Sequence, residues 1–106
     1  MIEIQKGSRN VYNDLRMPDA EGMYLKARLA SKISEIIKQR HLTQRQAADI
    51  LGITQPKLSG LLRGCFRGIS ETKMIACLNL LGIDVDIVVH QMHQDFSEGQ
   101  TQITFS

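Results

Sequence analysis

Two glutamines, Gln44 and Gln55, each follow a threonine in the stretch LTQRQAADILGITQPKLSGLLRG, residues 42–64. A glutamine amide carries an acceptor and two donors side by side, so it can pair with a flat polar edge such as that of adenine. Lys57, Arg63 and Arg67 add cations of the kind that hold guanine edges or phosphate oxygens. The chemistry on offer is recognition. No phosphate loop and no paired-carboxylate site stands anywhere in the chain, so catalysis is not expected and no cofactor is implied. His90-x-x-His93 has a third-residue spacing that an extended chain turns to opposite faces, and no third ligand lies at a familiar interval, so no metal is expected. Cys77 falls on an apolar helical stripe and reads as a small core residue. Cys65 stands alone in a turn, and without a Cys-x-x-Cys pair neither a disulfide framework nor a zinc ribbon is expected.

The elements that must position these side chains can be read from caps and periodicity. Thr43-x-x-Gln46 matches a capping box, Ala47, Ile50 and Leu51 give the helix an inward face, and Gly52 supplies its left-handed end. Thr54 caps the next helix, and Pro56 falls in its first turn, where the missing N–H costs little. Leu58, Leu61 and Leu62 form that helix's inward stripe and Gly64 closes it. At about 100° per residue the exposed face centres on Pro56, Gly60 and Arg63, flanked by Lys57 and Ser59, with Gln55 at the N-terminal end. Helix N-termini present unpaired N–H groups and a positive dipole, which places Thr43, Gln44 and Thr54 where phosphate would bind. Two helices joined by so tight a turn form a helix-turn-helix, whose second helix can enter a major groove.

Around this motif, Pro18-Asp19 reads as a helix start with Asp19 as cap and Glu21 in the first turn. An amphipathic helix runs from there to about Arg40 on a stripe of Leu29, Ala30, Ile33, Ile36 and Ile37. A further helix opens at Ser70-Glu71, buries Met74, Ile75, Leu78 and Leu81, and stops at Gly82. Beyond Gly82 the apolar period becomes two: Val85, Ile87 and Val89 predict a half-buried strand, with Thr101, Ile103 and Phe105 as its hairpin partner or a second copy of the chain beside it. Ile2 and Ile4 suggest a short N-terminal strand. Met17, Met23 and Met92 could offer a soft partner surface, although ordinary packing is the simpler reading.

The 106 residues suit one domain. Their net charge of +2 conceals an asymmetry: residues 26–67 carry nine Lys or Arg against Glu35 and Asp49, for +7, while residues 1–25 sum to −1 and 68–106 to −4. A basic middle between neutral or acidic flanks points to a polyanion-binding surface. No apolar run is long enough to span a bilayer and the opening MIEIQKGSRN has no signal-like segment, so a cytoplasmic protein without membrane contact is expected.

Filled from Leu42 to Gly64, the pattern Leu-Thr-Gln-x-x-x-Ala-x-x-Leu-Gly-Ile-x-Gln-x-x-x-Ser-x-x-x-Arg-Gly resembles the helix-turn-helix of the Xre/Cro-type phage-repressor family. Asn10-Val11-Tyr12-x-Asp14-Leu15, Pro18-Asp19-Ala20-Glu21, Lys26-Ala27-x-Leu29-Ala30 and Arg63-Gly64-x-Phe66-Arg67-Gly68-x-Ser70 are similar to its HigA-like antitoxin branch. The resemblance implies a repressor of its own operon that also neutralises a toxin of the RelE/HigB type. It also implies that Gln44 contacts phosphate and Gln55 reads a base. Relatives carry polar readers where this chain has Pro56 and Gly60.

The expected fold is therefore mostly α: a repressor-like domain of four to five helices with a short C-terminal β-strand or hairpin at a dimer interface. An N-terminal arm would span 1–18, the helix-turn-helix domain 19–82 and the strand region 83–106. The expected base-reading set is Gln55, Pro56, Lys57, Ser59 and Gly60. The phosphate set is Thr43, Gln44, Thr54, Arg63 and Arg67, and the dimer contact is Val85, Ile87 and Val89. Two copies would read an inverted-repeat operator in double-stranded DNA with half-sites roughly 34 Å apart. A stand-alone repressor, or a protein-interaction module with weak DNA binding, are the alternative functions.

Overall fold

The computed structural model describes residues 17–106. Four helices follow in order: α1 Met17–Gln39, α2 Gln44–Leu51, α3 Gln55–Leu62 and α4 Glu71–Leu80. α1 packs mainly on α4 and α2 mainly on α3. Among the described residues no helix is long and apolar enough to cross a membrane.

α1 opens at Met17, two residues before the expected cap, so Asp19 lies inside the helix. Its predicted stripe is the floor of the core: Leu29, Ala30, Ile33, Ile36 and Ile37 are all buried. Ala47, Ala48 and Leu51 from α2, Leu58 and Leu61 from α3, and Met74, Cys77 and Leu78 from α4 complete it, with Phe66, Ile69 and Leu81 from the connections. Ile50 and Leu62, read as inward-facing, are half-buried at its rim.

One termination device recurs four times. At the end of α2, Gly52 takes a left-handed φ of 68°. There the Ile53 N–H reaches the Ala48 carbonyl (3.2 Å) and the Gly52 N–H reaches that of Asp49 (3.3 Å). This pair satisfies carbonyls that a helix end would otherwise leave open. The same pair of bonds ends α3 around Gly64 and α4 around Gly82. α1 ends in the same way around His41, a non-glycine residue at φ 57°.

The expectation of a C-terminal strand or hairpin is overturned. Among the described residues there is no strand, and 83–106 have no regular secondary structure apart from a turn at 94–95. Alternating apolar residues make a strand only when a neighbouring backbone supplies the ladder, and none among the described residues does so here. The alternation has a different use. Ile83, Val85 and Ile103 pack against the helical core, whereas Ile87 and Val89 stand exposed. Phe105 returns to α1, its ring 5.0 Å from the Arg28 guanidinium carbon and 5.2 Å from Lys32 Nζ, within cation–π reach. The N-terminal strand at Ile2 and Ile4, and the expected arm up to residue 16, lie outside the described residues.

Candidate nucleic-acid interface

The turn between α2 and α3 is built entirely from local chemistry. Thr43 Oγ1 accepts from the Gln46 N–H (3.1 Å) and the Gln46 side-chain carbonyl accepts from the Thr43 N–H (2.9 Å), closing the capping box. Thr54 Oγ1 accepts from the Lys57 N–H (3.2 Å). Counting donors separates the two N-termini. In α2 the Gln44 and Arg45 N–H groups precede any intrahelical acceptor, so two donors face outward. In α3 Pro56 has no N–H and that of Lys57 is taken by Thr54, which leaves Gln55 alone. The start of α2 is thus the better seat for a phosphate oxygen. Both threonine hydroxyls accept within their caps and keep a proton to donate outward.

The expected base-reading residues divide. Gln55, Pro56 and Lys57 are exposed at the start of α3, while Leu58 and Leu61 on the opposite face are fully buried. Ser59 is half-buried and its Oγ accepts from Arg63 Nη1 at 3.2 Å, so its hydroxyl steadies the guanidinium. Gly60 is also half-buried. A Cβ placed there would meet the carbonyl oxygen of Cys65 at 3.6 Å and its Cβ at 3.7 Å. The paired cap at Gly64, with the Cys65 N–H on the Gly60 carbonyl at 2.7 Å, folds the following turn over this position. The open part of the reading face is therefore the N-terminal turn of α3 together with Arg63 at its end.

The basic middle of the chain resolves into two groups. On α1 and just past its end, Lys26 donates to the Arg67 carbonyl (3.0 Å), Arg40 to the Leu81 carbonyl (3.2 Å) and Arg28 to the Tyr24 hydroxyl (3.2 Å), Lys32 lies 3.6 Å from Glu35, and Lys38 is exposed in the last turn. Lys26 and Arg40 tie neighbouring segments to the long helix, and Arg28 and Lys32 hold the Phe105 ring of the tail. Arg45, Lys57, Arg63 and Arg67 belong to the helix-turn-helix and its trailing turn, and all four are exposed. Two cations were not singled out by sequence reasoning. Arg45 is exposed beside Gln44 at the start of α2. Lys73 of α4 borders the same surface depression as Lys57 and Thr54. Its i+3 relation to Ser70 gave no hint of that neighbourhood, which only tertiary packing creates.

Cys77 is buried to 1% exposure, and desolvation pushes its thiol up despite the opposing charge of Lys73, so it stays a neutral core group. Cys65 is exposed and no disulfide joins them. Among the described residues no cluster of three or more His, Cys, Asp or Glu could hold a metal ion, and His90 and His93 sit on exposed chain.

With this geometry in place, the comparisons with known proteins fall on the same region. Residues 11–90 match the family described as a helix-turn-helix domain. A solved structure described as an XRE-family transcriptional regulator matches with a TM-score of 0.76 at 34% identity, covering 84% of this chain and 100% of that one. No curated protein matches. The chain belongs to the XRE-type helix-turn-helix family, a class of DNA-binding domains.

Proposed function

We propose that the protein regulates transcription by binding, as two copies, an inverted repeat in its own upstream DNA. The observation that carries this reading is the division of α3: Leu58 and Leu61 are locked into the core while Gln55, Pro56 and Lys57 are presented outward. Gln55 reads a base edge through its paired donor and acceptor, Lys57 reaches a guanine edge, and Pro56 packs on a thymine methyl. Gln44, with the Arg45 and Gln44 N–H groups and the Thr43 hydroxyl, holds one backbone strand. Arg63, Arg67 and Thr54 hold phosphates at the other end and at the start of α3.

The roles are separable by experiment. Gln55→Ala relaxes sequence preference, at roughly 1–3 kcal/mol for a bidentate base contact. Arg63→Ala weakens operator and scrambled DNA alike and lowers the salt slope by about 0.9, one phosphate's share. Identical behaviour of the two variants on both DNAs would refute this division.

The finer specialisation is that of an antitoxin, which rests on the resemblance of the segments around Lys26-Ala27 and Arg63–Ser70 to HigA-like proteins. In that role the protein holds a RelE/HigB-type ribonuclease inactive while repressing the operon that encodes both. Co-expression with the reading frame beside its gene tests this: growth arrest by that frame alone, relieved by this protein, supports it. A neighbouring frame without toxicity leaves a stand-alone repressor as the function.

A further inference from the structure

A depression of about 460 Å³ lies between the α2–α3 turn and α4, lined by Gly52, Ile53 and Thr54 from the turn and by Lys57 and Lys73. Both lysines are exposed, and among the described residues neither ammonium has a hydrogen-bond or ion-pair partner. On α1, by contrast, Lys26 is bonded to the Arg67 carbonyl and Lys32 stands beside Glu35. Two like charges on one concave surface repel each other, and the low-dielectric walls focus their field on an incoming anion. One carboxylate shares the lining, that of the exposed Asp49, so two ammoniums against one carboxylate leave a net +1. Glu71, in the first turn of α4 with Lys73, is turned elsewhere: its Oε2 lies 3.5 Å from where a Cβ on Gly22 of α1 would stand. Thr54 adds a directed donor, since its Oγ1 accepts from the Lys57 N–H and keeps a proton to donate outward. An ammonium and a hydroxyl brought together from two elements suit a tetrahedral anion with several acceptor oxygens.

We propose that this depression seats one phosphate of the DNA backbone, held by Lys73 Nζ and the Thr54 hydroxyl, an assignment that rests on the DNA-binding reading above and adds α4 to the surface it uses. Thr54 immediately precedes Gln55, so a phosphate held there belongs to the backbone bordering the base that Gln55 reads. Phosphate contacts carry no sequence information, but they fix register and orientation on the duplex. The seat thus sets how deeply the first turn of α3 stands in the groove. Lys57 keeps its ammonium for the base edge, because the like charge of Lys73 disfavours its turning back into the depression. Asp49 opposes the phosphate and moderates affinity without any preference for sequence.

Anisotropy titrations of the intact chain on its upstream DNA and on a scrambled copy, over a salt series, test the seat. Lys73→Gln lowers the salt slope by about 0.9 on both DNAs and weakens binding about fivefold at ~0.15 M salt, one phosphate's share. Lys73→Arg restores both, and Asp49→Asn strengthens binding to both DNAs by roughly 1.5- to 5-fold. A loss of folded protein would lower the active fraction and leave the slope as it was. An unchanged slope for Lys73→Gln overturns the proposal, as does a loss that Lys73→Arg fails to restore. Single neutral methylphosphonates in the upstream DNA locate the contact. One replacement, beside the base read by Gln55, weakens the wild type about fivefold and leaves Lys73→Gln unaffected. The absence of any such position overturns the seat. Inorganic phosphate, titrated at constant ionic strength, separates the other source of the same group. Saturable shifts of the Thr54 and Lys73 amide signals, with an unchanged slope on DNA, assign the depression to a free phosphorylated ligand and overturn the proposal. Equal binding to both DNAs with the slope still lowered by Lys73→Gln keeps the seat and removes the sequence-reading regulator. A preference for the upstream DNA with an unchanged slope does the reverse.

Discussion

His41→Gly should raise stability, and the size of the gain follows from the four helix ends. All four close with the same pair of backbone bonds, yet only α1 does so through a residue with a Cβ, at φ 57°. The left-handed region costs an L-residue roughly 1–2 kcal/mol. Glycine removes that strain but brings greater freedom in the unfolded chain, worth about 0.5–1 kcal/mol. The net is about 0.5–1 kcal/mol in favour of the variant. For a domain of this size each kcal/mol moves Tm by about 4–8 °C, so the melt should rise by roughly 2–8 °C. Gly52→Ala is the mirror experiment. Its φ is 68° and no atom lies within 4 Å of the added methyl, so it should lose about 1 kcal/mol from backbone strain alone. Circular dichroism melts of both variants read the effect directly. A fall in Tm for His41→Gly, or no change for Gly52→Ala, would refute the claim that the left-handed conformation is what these positions demand.

Two further outcomes follow from the packing. Gly60→Ala should stabilise α3 by about 0.5–1 kcal/mol, since its methyl fits beside Cys65 at ordinary contact distance, and should leave DNA affinity unchanged. A tenfold loss of affinity, about 1.4 kcal/mol, would put Gly60 back on the DNA. Phe105→Ala removes two cation–π contacts and should cost about 1–2 kcal/mol while freeing the tail. Loss of the dispersed Ile103 methyl signals in NMR spectra would register that release, and an unshifted Ile103 would show that Phe105 anchors nothing.

What could be read from the sequence was local. Thr43, Thr54 and Ser70 mark three helix starts because a cap is a contact over three residues, and Gly52, Gly64 and Gly82 mark three ends because the left-handed turn needs no distant partner. The apolar stripe of α1 was legible for the same reason. The left-handed end at His41 was not, because histidine carries no such signal. A helical wheel set Gly60 at the centre of the exposed face and could not show the turn that leaves it half-buried. The strand at Val85, Ile87 and Val89 failed on a different ground: alternation says which side chains could share a face, but a strand exists only where another backbone completes its hydrogen bonds. The basic middle was visible as a sum, while its division into straps along α1 and cations around α2 and α3 required the tertiary fold.

The proposed regulator depends on the exposed turn of α3 reading DNA sequence. Fluorescence anisotropy of the protein on its own upstream DNA and on a scrambled copy, across a salt series, tests it most directly. The expected result is tighter binding to the upstream DNA, with a preference that persists at near-physiological salt, where backbone attraction is screened. Equal and weak binding to both DNAs, falling together as salt rises, would contradict it.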